Sequence, residues 1–205
     1  MNVIQLLKGH HRDIALAEAQ TVCGKGKLLG DYLLVDCPFD ALQSRLGYAK
    51  SVGELGFSLN QAPTLEQVNS LIDGPYRMVF KSIPAELKQS ILQLTKQITH
   101  PINLTNAATT LLFTYADSSL LCIKNPLSNT NRFDERRMHF NPAPHPSSLH
   151  PRLARAFVNL TGISKGELYD PFCGAGGILI EAALCGFIAV GSDIDPIPEE
   201  VRERK

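Results

Sequence analysis

The chain has 205 residues, 44% of them hydrophobic, which suits one or two modest globular cores and argues against a disordered chain. Its 20 Lys and Arg balance its 20 Asp and Glu, so a polyanionic partner has to be met by a local patch rather than by overall charge. Five scattered cysteines (Cys23, Cys37, Cys122, Cys173, Cys185) lack C-x-x-C spacing, which argues against zinc and for reduced thiols; the short apolar run from Val3 to Leu7 is too brief for a signal or a membrane span. A cytoplasmic protein with no membrane partner and no metal is expected.

In chain order, Asn2 to Lys8 reads as a strand. A helix follows over Asp13 to Cys23, with Asp13 as its cap and Gly24 as its stop. Leu28 to Cys37 suits a strand, Asp40 to Tyr48 a short helix, and Leu55 to Leu59 another strand. Thr64 and Gln67 form a capping-box pattern at the head of a helix reaching Ile72, and Gly74-Pro75 breaks the chain. Arg77 to Ile83 reads as a strand with Met78 and Phe80 on one face. A helix opens at Pro84 and runs to about Thr99, with Leu87, Ile91, Leu94 and Ile98 at helical spacing. Thr109 to Tyr115 and Ser119 to Lys124 form a hairpin over Asp117-Ser118. Strands mixed with short helices imply an α+β region without internal repeats.

From Asn125 to Pro151 the periodicity disappears among prolines, asparagines and histidines, as in a linker. Between Arg132 and Arg155 lie five arginines (Arg132, Arg136, Arg137, Arg152 and Arg155) against only Asp134 and Glu135, so this stretch is either a phosphate-facing patch or a solvated connection.

The run from Glu167 to Asp195 parses as strand, Gly-rich turn, helix, strand and acid. Gly174, Gly176 and Gly177 permit a tight turn and close backbone approach to a ligand. The helix from Gly177 to Leu184 directs its first amides toward that ligand, and Phe187 to Val190 suits a buried parallel strand. Asp193, 23 positions after Asp170, stands where a doubly wound fold grips the ribose of an adenosine cofactor. Asp170 at the strand end would repel a pyrophosphate and suits a cofactor with a cationic amino-acid end, which points to S-adenosylmethionine rather than NAD. Cys173 reads as a packing residue rather than a nucleophile, and Glu181 as a surface or packing carboxylate.

Asp170-Pro-Phe-Cys-Gly-Ala-Gly-Gly177 resembles motif I of amino-methyltransferases that act on nucleic-acid bases, and His145 to Leu160 resembles the helix before that motif in archaeal tRNA (guanine-10-N2) methyltransferases. The resemblance implies an α/β and α+β chain: an N-terminal ferredoxin-like domain over 1–74, a THUMP-like RNA-binding unit over 75–125, a linker over 126–150, and the first βαβ unit of a Rossmann-type methyltransferase sheet over 151–205. It implies methyl transfer from S-adenosylmethionine to the N2 amine of a tRNA guanosine. Asp170, Phe172, Cys173 and Gly174 would line the methionine end. Asp193 would hold the ribose, Ile194 would pack on adenine, and His145-Pro146 would close over the site. Arg132, Arg136 and Arg137 are assigned to tRNA phosphates from charge alone.

The family's Asp-Pro-Pro-Tyr-like tetrad, whose acceptors hold the amine in line with the methyl group, does not occur. Asp195-Pro-Ile-Pro198 follows the second strand and reads as a turn. The expectation is therefore a truncated product or one half of a split enzyme, binding cofactor weakly and inactive by itself, with a second polypeptide as a candidate partner. A non-catalytic RNA-binding subunit and a DNA amino-methyltransferase fragment stand as alternatives.

Overall fold

Seven strands of this chain pair into one mixed sheet, in the order β2-β3-β1-β4-β7-β6-β5. They are β1 (Asn2–Leu6), β2 (Lys27–Leu29), β3 (Tyr32–Val35), β4 (Ala49–Leu59), β5 (Tyr76–Lys81), β6 (Thr109–Ala116) and β7 (Ser119–Ser128). The computed structural model describes residues 1–7, 11–129, 131–137, 140 and 148–195. It divides into two units: Met1–Gln5, Gly26–Phe39 and Ser51–Leu127 form the first, and Leu6–Lys25, Asp40–Lys50 and Ser128–Lys205 the second.

In the first unit β3 pairs antiparallel with both β1 and β2, β6 antiparallel with β7, and β5 parallel with β6. The parallel pair requires a crossover, which is made by α4 (Ala85–Thr95). Period-two alternation sorts β6 and β7 onto two cores. Leu111, Phe113, Leu120 and Cys122 pack with Val68, Ile72, Tyr76 and Ile91. Leu112, Leu121 and Ile123 pack with Val3, Leu29, Tyr32 and Leu34. The β6–β7 hairpin turns through Asp117 and Ser118, both at positive φ (45° and 62°), as a two-residue turn of matching twist requires. Both halves of the Thr64/Gln67 capping box form at α3 (Leu65–Asn69).

Several boundaries differ from expectation. The division at 74/75 falls inside the sheet, because β5 to β7 join the same sheet as β1 to β4. The stretch 28–37 is a hairpin, broken at Gly30 (φ +54°), whose N–H donates to Asp117 Oδ2 at 2.7 Å. β4 begins at Ala49, six residues before the expected Leu55, because its glycines mark close approach rather than a break. A Cβ on Gly53 would lie 2.4 Å from Ile123 Cγ2, and one on Gly56 2.5 Å from Leu71 Cδ1.

The second unit contains α1 (Arg12–Cys23), most of α2 (Phe39–Arg45), a 3₁₀ helix (Asn131–Arg136), α5 (Pro151–Leu160), β8 (Glu167–Asp170), α6 (Gly177–Leu184) and β9 (Ile188–Gly191). β8 and β9 pair parallel, with Asp170 opposite Gly191. Val158, Leu168, Ala182 and Phe187 form the apolar core where α5 and α6 meet the strands. Asp13 lies in the first turn of α1, and His11 holds the N-cap position without a side-chain bond. Within the expected linker, β7 extends to Ser128 and the 3₁₀ helix follows, with Phe133 fully buried. No helix among the described residues is long and apolar enough to cross a membrane.

Candidate cofactor site

The Gly-rich turn leaves β8 and enters α6. Gly174 (φ +48°) and Gly176 (φ +76°) both occupy the left-handed region that only glycine adopts without strain, and Gly176 is the N-cap of α6. The turn is laced to β9. Ser192 N–H donates to the Asp170 carbonyl at 3.0 Å, and Cys173 N–H to the Ser192 carbonyl at 3.0 Å. Gly174 N–H donates to Asp193 Oδ2 at 2.7 Å, and Asp195 N–H to Asp193 Oδ1 at 3.1 Å. Asp170 Oδ1 accepts from Phe172 N–H at 3.0 Å, closing the bend before the glycines.

These bonds leave both carboxylates at the C-terminal ends of adjacent parallel strands, the place where open α/β sheets bind ligands. The backbone N–H of Gly174, then those of Asp195 and Ile194, hold the Asp193 carboxyl below its usual range, so it is anionic at neutral pH. Its two oxygens offer about four lone-pair sites, so hydroxyl donors can still be accepted beside these N–H groups.

An open cleft of about 110 Å³ lies at this end, lined by Ser148, Leu149, Asp170, Phe172, Cys173 and Gly174 with the start of α6. Of the residues assigned to the methionine end, Asp170, Phe172, Cys173 and Gly174 all line it. Phe172 and Ile194 are 83% and 96% exposed, so each presents an apolar face to solvent beside the carboxylates. His145 and Pro146 lie outside the described residues.

Cys173 is 7% exposed, and burial, with the nearby Asp170 and Asp193 charges, pushes its thiol pKa up. A protonated, buried thiol packs rather than attacks. It packs against Gly191, where an added Cβ would lie 2.8 Å from Cys173 Cβ and 2.5 Å from Leu179 Cδ1. Sequence reading missed Gly191, Ser148 and Leu149. Gly191 at the end of a short apolar strand, just before Asp193, was the one available signal.

The arginines differ most from expectation. Arg132 donates to the carbonyls of Gln43 and Ser44 (3.1 Å) in the last turn of α2, and of Leu46 (2.8 Å) just past it, where helical partners run out. Arg152 takes the Gly47 and Ala49 carbonyls at 2.8 and 2.7 Å. Burial, then Arg155 and Arg136, pushes the Arg132 guanidinium pKa down to about 10, still charged at neutral pH. Arg136 donates to Glu181 Oε1 at 2.8 Å. Arg132 and Arg136 thus spend these hydrogen bonds within the unit, while both side chains stay partly exposed. Arg137, 47% exposed, pairs with Asp134 at 2.7 Å. The Phe133 ring lies at the centre of four guanidinium groups, those of Arg132, Arg136, Arg152 and Arg155, at 4.7 to 6.0 Å.

Glu181 is 1% exposed, and its carboxylate also accepts from Arg155 Nε and Nη2 at 2.8 and 2.7 Å. Glu18, fully buried, accepts from Gly47 N–H, Tyr48 N–H and Asn159 at 2.7 to 2.8 Å. Neither carboxylate is on the surface, because each meets a full set of donors inside.

Residues 138–194 match the family described as RMKL-like, methyltransferase domain. The tRNA (guanine(10)-N2)-dimethyltransferase of Methanothermobacter thermautotrophicus is 45% identical over 80 residues, covering 38% of this chain and 24% of that protein. The enzyme of the same name from Methanocaldococcus jannaschii is 46% identical over 76 residues, covering 36% of this chain and 22% of that protein. The match thus spans about a quarter of these relatives' length. TrmN from Thermus thermophilus shares the fold, with a TM-score of 0.52 at 18% identity over 95% of this chain and 65% of that one.

Proposed function

We propose that this chain holds S-adenosylmethionine at the ends of β8 and β9 and serves methyl transfer to the N2 amine of a tRNA guanosine, at position 10; the match of residues 138–194 to the RMKL-like methyltransferase domain supports this reading. The carrying observation is the pair of carboxylates flanking a left-handed glycine turn, Asp170 at its entry and Asp193 bonded to Gly174 N–H at 2.7 Å. Asp170 at the entry disfavours a pyrophosphate and favours a cationic amino-acid end, while Asp193 suits a ribose. When bound, this cofactor supplies an activated methyl group on a sulfonium. The cleft, about 110 Å³, is below the roughly 300–1,000 Å³ of a whole-ligand pocket. It suits the amino-acid end, with the nucleoside lying along Asp193 and Ile194.

In this reading Asp170 takes the ammonium group, while Phe172, Cys173 and Gly174 shape the methionine end. Spare lone pairs of Asp193 accept the ribose hydroxyls, the exposed Ile194 covers adenine, and His145-Pro146 close over the site. The names of the two relatives support tRNA as substrate, and the first unit would serve its capture as a THUMP-like element. The Asp-Pro-Pro-Tyr-like tetrad that would supply acceptors for the guanine amine does not occur in these 205 residues, and in this reading it is supplied from outside them.

Titration calorimetry of the 205-residue polypeptide with S-adenosylmethionine tests the reading. Binding is expected, and Asp193→Ala should weaken it about tenfold or more, the scale of losing charge-assisted hydrogen bonds. An unchanged affinity in Asp193→Ala overturns the site. Transfer of labelled methyl to tRNA by this polypeptide alone overturns the requirement for further acceptors.

A further inference from the structure

Glu181 has no part in the cofactor contacts just proposed, yet it is the most heavily bonded side chain near them. It lies one turn into α6, on the same face as Gly177, four residues earlier. Gly177 lines the cleft, and a Cβ built on it would lie 4.0 Å from the Leu149 carbonyl oxygen. Leu149 and Ser148, which form the cleft's opposite wall, lead directly into α5. Arg155 lies one turn into α5, and its Nε and Nη2 both reach Glu181 Oε2 at 2.8 and 2.7 Å. The two helices that start at the cleft are thus bolted together one turn below it. Ala154, Val158 and Ala182, all fully buried, supply no direction of their own at that crossing.

A second arginine holds the same carboxylate. Arg136, at the end of the 3₁₀ helix, reaches Glu181 Oε1 at 2.8 Å. Arg136 precedes the 137–150 stretch and Arg155 follows it, so one buried carboxylate fixes both flanks of the segment that carries the Ser148-Leu149 wall. Apolar packing alone would tolerate small slides of α5 along α6, whereas a charged fork has one geometry.

We propose that Glu181, gripped by Arg155 and Arg136, is a positioning residue that sets the spacing between the Ser148-Leu149 wall and the Gly-rich turn, and so fixes affinity for the amino-acid end of the cofactor. The proposal rests on the cofactor reading above. Asp193 and Ile194, assigned to the nucleoside, are held by β9 and by Gly174 N–H, not by this clamp. The clamp therefore acts on one end of the ligand and not on the other.

The test compares S-adenosylhomocysteine, which has the amino-acid end, with adenosine, which lacks it. Both are titrated into the 205-residue polypeptide and its Glu181→Gln and Arg155→Lys variants, with circular dichroism to verify folding. Glu181→Gln keeps the shape and loses the charge. It should weaken S-adenosylhomocysteine about tenfold or more through lost preorganisation and leave adenosine within about twofold, as for an independent site. Arg155→Lys keeps a cation on Glu181 and should fall between parent and Glu181→Gln. Should Glu181→Gln not fold, Arg155→Lys carries the comparison, with the same selective loss expected. Equal losses for both ligands, or none for either, overturn the proposal. Failure of the parent polypeptide to bind S-adenosylhomocysteine overturns the cofactor reading itself, and this proposal with it.

Discussion

The two units of this chain are held together by different physics. In the first, the core is apolar on both faces of the sheet: Phe113, Leu111 and Ile91 on one, Leu121, Leu34 and Val3 on the other. In the second, Glu18, Arg155 and Glu181 are buried charges, and among the described residues every charged side chain in the buried class belongs to that unit. Apolar burial is strong but non-directional, and it tolerates exchange of one side chain for another of similar volume. Buried charges are costly to desolvate and stable only in one bonded geometry. The unit that carries the cleft at the Gly-rich turn is the one specified by direction.

The contrast can be broken hardest at Glu181. Glu181→Ala leaves Arg155 and Arg136 without their anion, and loss of one partner of such a buried pair costs about 3–5 kcal/mol. Urea denaturation should show that loss; a change under about 1 kcal/mol would mean the charges are not buried in solution.

A smaller effect is expected from two matched glycines. Gly191→Ala collides with Leu179 and Cys173, and Gly53→Ala with Ile123 Cγ2, each at under 3 Å. Each should cost about 1–3 kcal/mol by overpacking, but only Gly191→Ala should also weaken S-adenosylmethionine, because Cys173 forms part of the cleft wall. Equal ligand affinity in the two variants would separate Cys173 packing from the site.

The pH dependence of α5 comes next. His150 is its N-cap, with Nδ1 accepting from Arg152 N–H at 3.2 Å. Burial first, then Arg137 and Arg152, lowers the His150 pKa, against a smaller opposing pull from Asp134. A folded-state pKa below the unfolded one makes the neutral imidazole the stabilising form. That contribution is complete above the ordinary value of about 6.5 and is lost as the pH falls through the folded value. Urea midpoints at decreasing pH should therefore fall more steeply in the parent than in His150→Asn, whose cap does not titrate. Identical slopes would remove the imidazole from the cap.

In the first unit, Thr64→Ala should cost about 1 kcal/mol by opening the capping box. Tyr76→Phe should cost nothing measurable, because the buried Tyr76 hydroxyl has no hydrogen-bond partner among the described residues. A large loss in Tyr76→Phe would show a bonded hydroxyl and a first-unit core less apolar than its side chains suggest.

Much of the element order was legible because it rests on local chemistry. Thr64-x-x-Gln67, the Asp117-Ser118 turn, the Gly24 stop and the α4 apolar spacing each act within a few residues. The Gly-rich turn was legible for the same reason: Gly174 and Gly176 occupy the left-handed backbone that their lack of a Cβ permits. The 3₁₀ helix around Phe133 was not legible, because nothing periodic marks a segment whose core is one phenylalanine ringed by guanidinium groups. Arg132 finds its carbonyls 86 to 89 positions away in sequence, at Gln43 to Leu46, and Arg152 reaches Gly47 and Ala49 across 105 and 103.

By itself, then, the sequence determined the turn, the two carboxylates and the order of helix and strand around them, since each is fixed by neighbours along the chain. Only the tertiary structure decided which charges are buried, that Arg132 and Arg136 spend hydrogen bonds within the unit, and that Ser148 and Leu149 complete the cleft. Those outcomes depend on which distant donors and acceptors meet once water is excluded, and the strength of a charge interaction depends on that environment rather than on the residue alone.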